Sequence, residues 1–197
     1  MVNLLALAAI ILVTLTSLLL LTIRDWRCGI LALAAQYIGV AALVALSWPL
    51  EIALVKVVAG WMAGAVLGLA MTNAPETWRG EERFWPSGRL FRLLTAGLTW
   101  LVVISLVPRI TGWVPGIDRP VAWGGLTLIS FGLLHLALTT QPLRVALGLL
   151  TLLSGFEILY AAVETSTLVA GLLATVNIAI AMIGAYLIVA PGMERVE

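Results

Sequence analysis

An all-α integral membrane protein with seven transmembrane helices is the fold class that three features of this sequence predict. Of its 197 residues, 62% are apolar and 11% are charged. The apolar residues gather in blocks long enough to cross a hydrocarbon core roughly 30 Å thick. The polar stretches between the blocks are brief, which leaves no room for a second large domain or a soluble catalytic unit.

The blocks cover 4–23, 28–46, 52–72, 90–107, 121–138, 144–163 and 168–189. The first stands where a signal peptide would. No basic residue precedes it, however, and Arg24 and Arg27 follow where a small-residue cleavage site belongs, so a retained helix is expected. The second is bracketed by Trp26 and Trp48, and the third carries Lys56 and ends before an Asn-Ala-Pro turn. The fourth and fifth lie near the short limit for a span, which makes six spans the alternative. Trp113 and Trp123 flank the turn between them, and Trp78 and Trp85 lie in the longest connection, as interfacial anchors do. Arg144 opens the sixth block and Asn177 sits midway along the seventh.

The longest connection, 73–89, contains Pro75, Gly80, Pro86 and Gly88 as breakers. It leads into Arg89-Leu-Phe-Arg92, an amphipathic stretch suited to the headgroup boundary. The expected organisation is a front three-helix bundle over 1–72, a cytoplasmic amphipathic linker over 73–92 and a rear four-helix bundle over 93–197. With the fourth span set aside, the two remaining trios have the same polarity across the membrane. Each has a basic residue ahead of a middle helix with a polar residue inside it: Arg27 before Gln36, and Arg144 before Glu157. Two three-helix units in parallel orientation are one reading of this pattern, of a kind found in transport proteins.

Seven crossings collect Arg24, Arg27, Arg79, Arg83, Arg89, Arg92, Arg144 and Arg195 on one side, and only Arg109 and Arg119 on the other. This asymmetry predicts a cell-membrane protein with its amino terminus outside and its carboxyl terminus in the cytoplasm. A net charge of +1 without a basic run argues against nucleic acid as a partner. The single cysteine, Cys28, excludes an internal disulfide and makes a metal cluster and redox chemistry unexpected.

Glu157 is the most informative residue, because a carboxylate inside a membrane helix costs a few kcal/mol on insertion scales and is a functional-site hypothesis by default. Its alternative is a structural carboxyl hydrogen-bonded to a neighbouring helix. Lys56, the only lysine, lies a turn or so inside the third span. It can snorkel to the interface or pair with a charge in the bundle, and Glu157 falls in the same outer half. His135, the only histidine, has no cysteine or carboxylate at ligand spacing, so no metal is expected there. It is a relay candidate because imidazole titrates near neutrality, or else a packing residue. Asn177 and Gln36 can bridge helices or hold water but cannot carry a proton as acids. Glu164, at the outer end of the sixth block, is expected in water. Gly60, Gly64 and Gly68 form a smooth stripe for close helix packing, against a helix of this chain or of another subunit.

The segment Gly148-Leu-Leu-Thr-Leu-Leu-Ser-Gly-Phe-Glu157-Ile-Leu resembles the second helix of the K subunit of NADH:quinone oxidoreductase and of the C subunit of multisubunit sodium/proton antiporters. The likeness to the K subunit extends over 144–190. Seven spans, a lysine in the third helix shortly before an Asn-Ala-Pro turn, and this rear half make the whole chain similar to membrane component E of hydrogenase-4 and formate hydrogenlyase. The resemblance implies a small, non-catalytic membrane subunit without cofactors, packed in lipid beside larger antiporter-like subunits, with Glu157 contributing to a proton or cation pathway. Where the K subunit has a second glutamate in its following helix, this chain has Asn177, and Gln36 stands where the front trio would carry an acid. The alternatives are a scaffold subunit and, against the scarcity of polar lining, an independent small-solute transporter.

Overall fold

The computed structural model describes residues 2–74, 89–164 and 166–193, all helical apart from short connections. Its seven helices are α1 (Val2–Thr22), α2 (Trp26–Val44), α3 (Leu50–Thr72), α4 (Arg89–Trp113), α5 (Arg119–Ala137), α6 (Pro142–Val163) and α7 (Thr167–Met193). Each is long and apolar enough to span a membrane, as the sequence predicts, and the described residues contain no strand. Trp78, Trp85, Arg79 and Arg83, with most of the 73–92 linker, lie outside the described residues.

Local chemistry fixes several helix ends. The Asp25 side chain accepts from Arg27 N at 2.9 Å and caps α2. Pro120 and Pro142 occupy the first turns of α5 and α6, where a missing N–H leaves no helical bond unmade. The turn between α4 and α5 uses Gly116 at φ +94°, a left-handed conformation that a side chain would strain. One boundary differs from expectation. The fourth span does not end at 107 but continues through Pro108 to Trp113. A proline inside a helix removes one hydrogen bond, a loss that long apolar helices in lipid tolerate.

Residue pairs at the helix contacts give the directions. Gln36 meets Thr151, and Gly29 approaches Leu147, so α2 and α6 run parallel. Gly125 faces Leu159 and Gly132 faces Leu152, so α5 and α6 are antiparallel. The helices form two layers of three, α1-α2-α3 and α5-α6-α7, with α1 against α5, α2 against α6 and α3 against α7. Helix α4 lies outside this double layer, chiefly against α5.

The closest packing is between α5 and α6. A Cβ on Gly155 would stand 2.6 Å from Gly125 O, and one on Gly132 2.7 Å from Leu152 N, so backbone rests on backbone. Such contact is what holds helices together in lipid, where burial of apolar surface gives no net drive. The Gly60-Gly64-Gly68 stripe faces α2 of the same chain. Gly60 makes room for the Tyr37 ring, while Gly64 and Gly68 lie against Ile30.

Two buried arginines close one end of the bundle. Arg92 Nη1 donates to Leu21 O at 2.8 Å, and Arg144 Nη2 donates to Ile23 O at 2.8 Å. Both cap the carboxyl end of α1, where unpaired carbonyls and the helix dipole favour a cation. Arg92 therefore does not stand on the exposed face of the 89–92 stretch. It belongs to the first turn of α4 and points into the protein. At the opposite end Trp48 is buried and its indole donates to Glu164 O at 3.0 Å, so this ring is a packing residue and not an interfacial anchor. Trp113, 81% exposed, keeps the anchor position.

Candidate functional site

Four helices bring their buried polar residues to one point. Lys56 of α3 reaches Glu157 of α6, with Nζ 2.9 Å from Oε1, and their side chains are 3% and 1% exposed. Lys56 does not snorkel: it turns into the bundle. The same Oε1 accepts from Asn177 Nδ2 of α7 at 2.9 Å. Asn177 Oδ1 in turn accepts from the Tyr37 hydroxyl of α2 at 2.8 Å. Tyr37 has room for this because Gly60 carries no side chain to meet its ring.

The energetics follow from charge and burial. At 2.9 Å, opposite unit charges attract by about 6 kcal/mol at an effective dielectric constant of about 20. Removing each from water costs several kcal/mol, so the pair is close to balanced, and either charge alone would be strongly unfavourable. The amide of Asn177 and the hydroxyl of Tyr37 supply part of the lost solvation. They do not supply all of it. Glu157 Oε2 has no hydrogen-bond partner among the described residues, and the Lys56 ammonium, a donor of three protons, meets only Oε1. An acceptor and a donor therefore stand side by side, each able to take one more partner.

Gln36 belongs to a second polar group one turn away. Its Nε2 donates to Ser17 Oγ of α1 at 2.9 Å, and its Oε1 accepts from Thr151 Oγ1 of α6 at 3.1 Å. Ser154, fully buried on the next turn of α6 and adjacent to the Tyr37 hydroxyl, lies between the two groups. Its own hydroxyl donates to Leu150 O at 2.8 Å.

His135 is not part of either group. It occupies the last turn of α5, buried, and lines a small cavity with Arg92, Thr139 and Arg144. Among the described residues no three His, Cys, Asp or Glu side chains converge as metal ligands. Glu164 is exposed.

Of the residues expected at the site, Lys56, Glu157 and Asn177 converge, Gln36 is one turn removed, and His135 lies in a separate cluster. Tyr37, Ser17, Thr151 and Ser154 complete the arrangement and were not expected there. The signal for Tyr37 was its place beside Gln36 on a buried helix. The three hydroxyls carried none, because serine and threonine in apolar helices commonly bond back to their own helix, as Thr14 does to Ile10 O at 2.7 Å. Chemically, the site is a buried ion pair whose second carboxylate oxygen is open to one more donor. Neither a protein-family model, nor a curated protein, nor a solved structure is similar enough to this chain to count as a match.

Proposed function

We propose that this chain is a small membrane subunit of a complex I-like, group 4 hydrogenase-like or multisubunit cation/proton antiporter assembly, in which Glu157 serves a proton or cation pathway and Lys56 is its counter-charge. Larger antiporter-like membrane subunits are the partners, and catalysis belongs to them or to subunits attached to them. The chain resides in the cytoplasmic membrane with its amino terminus outside, in keeping with its basic asymmetry. One observation carries this reading: a lysine and a glutamate 2.9 Å apart inside spanning helices, with the second carboxylate oxygen buried and still lacking a hydrogen-bond partner among the described residues. A pair kept only for architecture is expected to be fully satisfied. Ionisable residues inside spanning helices that face the bundle interior and pair with one another mark ion pathways and proton relays.

A scaffold role is the second reading, favoured by the closure of the site, since neither charge reaches lipid or solvent in the isolated chain. Purification in mild detergent tests the partners: large antiporter-like subunits should come with this chain. Reconstitution of that assembly with Glu157→Gln tests the role. Loss of coupled proton movement with normal assembly supports the relay, and unchanged movement supports the scaffold.

A further inference from the structure

Helix α4 is pinned to α1 at the arginine end of the bundle. Arg92 Nη1 donates to Leu21 O at 2.8 Å there, and Leu18 and Leu21 of α1 share an apolar cluster with Ala96 and Trp100 of α4 and Phe131 of α5. Toward the opposite end a groove of about 370 Å³ lies between the two helices, with α5 behind it. Leu7, Ile11 and Leu15, four apart and exposed, form its α1 wall. Trp100 of α4 and Trp123 of α5 form the other side, their ring centroids 5.2 Å apart.

Water does not suit this groove. Its volume corresponds to about a dozen waters, each of which needs two to four polar partners. The one hydroxyl in the lining, on Thr14, donates to Ile10 O of its own helix at 2.7 Å. Left empty, the groove would forfeit the dispersion contacts of every wall. A partner's helix does not suit it either. Where helices of this protein meet closely, one of them contributes glycine, as Gly125 and Gly155 do between α5 and α6 and Gly60 does beneath Tyr37. The groove walls present branched and aromatic side chains instead. A flexible hydrocarbon chain can follow such walls. From Leu7 to Leu15 the groove runs along about 12 Å of helix at 1.5 Å per residue, close to the depth of one leaflet in a core roughly 30 Å thick. Arg119, exposed, stands one turn beyond Trp123 on the same face of α5, whereas Asp118, the N-cap, does not share that face. A cation there complements a phosphate.

We infer that this groove holds one acyl chain of a bilayer phospholipid from the leaflet on the Trp48 side, with the phosphate at Arg119. The acyl chain supplies the contacts that α1 and α4 do not make with each other beyond the arginine pin. The site is separate from the Lys56 and Glu157 pair and does not depend on its role.

Photolabelling of the full chain tests this, in vesicles containing a phosphatidylglycerol that carries a diazirine midway along one acyl chain. Peptide mapping should find more label on Leu7, Ile11, Leu15 and Trp123 than on the comparably exposed Leu172 and Met182 of α7. Ile11→Trp fills the groove and should abolish the label on Trp123 while leaving that on α7 unchanged. An unaltered melting temperature confirms the fold, and Leu15→Trp is a second filling variant at the same wall. Even labelling of groove and α7 in the wild type, or Trp123 labelling that persists in both filled variants, would overturn the site. The same lipid fused into native membranes should again label the groove. Labelling in vesicles with protection in native membranes would assign the groove to a partner's side chains and overturn the lipid. A diacylglycerol with the same diazirine chain tests the phosphate: it should label the groove about fivefold less than the phospholipid, the scale of one arginine at a membrane surface, and Arg119→Gln should remove the difference. Equal labelling by the two lipids in the wild type would overturn the phosphate contact.

Discussion

Lys56 Nζ and Glu157 Oε1 lie 2.9 Å apart at the junction of α3 and α6, more than a hundred residues apart in sequence and almost fully screened from solvent. The contact joins the two layers of the bundle, beside Asn177 of α7 and Tyr37 of α2. Its strength is therefore best measured against its own absence.

Single neutralisation should be far worse than double. Glu157→Gln leaves a buried ammonium and Lys56→Met leaves a buried carboxylate, and breaking such a pair from one side costs about 3–5 kcal/mol. The double variant Lys56→Met/Glu157→Gln removes both charges and should recover most of that loss. Unfolding measured in one detergent for the wild type and the three variants gives the coupling directly. Additive losses would show that the two charges do not depend on each other.

Gly60 should be intolerant of any side chain, and its two companions should not. A methyl group at Gly60 overlaps the Tyr37 ring, whereas at Gly64 it would meet Ile30 at an ordinary 3.6 Å. Overpacking of this kind costs about 1–3 kcal/mol. Gly60→Ala should also disturb the Tyr37 hydrogen bond to Asn177, so a combined Gly60→Ala/Tyr37→Leu variant should be more stable than Gly60→Ala alone. Thermal melting of Gly60→Ala, Gly64→Ala and Gly60→Ala/Tyr37→Leu checks the order.

Asn177 accepts from Tyr37 and donates to Glu157, so removing it takes a partner from groups on two helices. Asn177→Leu should cost about 1–3 kcal/mol, the cost of leaving buried polar groups unsatisfied. Tyr37→Phe acts on the same bond. The loss in the double variant should fall short of the sum of the two single losses, as for residues in one network. Full additivity in the melting data would contradict the shared hydrogen bond.

Arg144 should matter for stability and Arg27 should not. The first donates to Ile23 O at the end of α1 and is buried, so Arg144→Leu should destabilise by about 1–3 kcal/mol. The second is exposed and stacks over Trp26 at 5.3 Å, and Arg27→Leu should change stability by no more than about 0.5 kcal/mol. Equal losses in chemical unfolding would show that the cap contributes nothing.

Much of the architecture was legible because each apolar block had to satisfy its own backbone as a helix in lipid. The fourth span was misjudged at its end because Pro108 reads as a terminator, yet the helix passes through it. Neighbour relations were harder. Lys56 and Glu157 could be assigned to the same outer half from their distance to the span ends, but which helices touch depends on packing that no single span records. The α5 and α6 contact did leave a trace. Gly125 and Gly132, like Gly148 and Gly155, stand seven apart and so share a helix face, a pattern overshadowed by the stripe on α3. Trp48 stands at a span end, where an anchor is expected, and only the position of Glu164 O explains why its ring turns inward. His135 lay within the right span, but the face it occupies belongs to the arginine end.

The most direct test of the proton role uses the doubly neutral pair, because it removes the charges without leaving either one stranded. Proton movement should be measured in vesicles containing the assembly with Lys56→Met/Glu157→Gln, after confirming that all subunits are present. The predicted result is a normally assembled complex that no longer couples proton movement. A normally assembled complex that moves protons at the wild-type rate would contradict it.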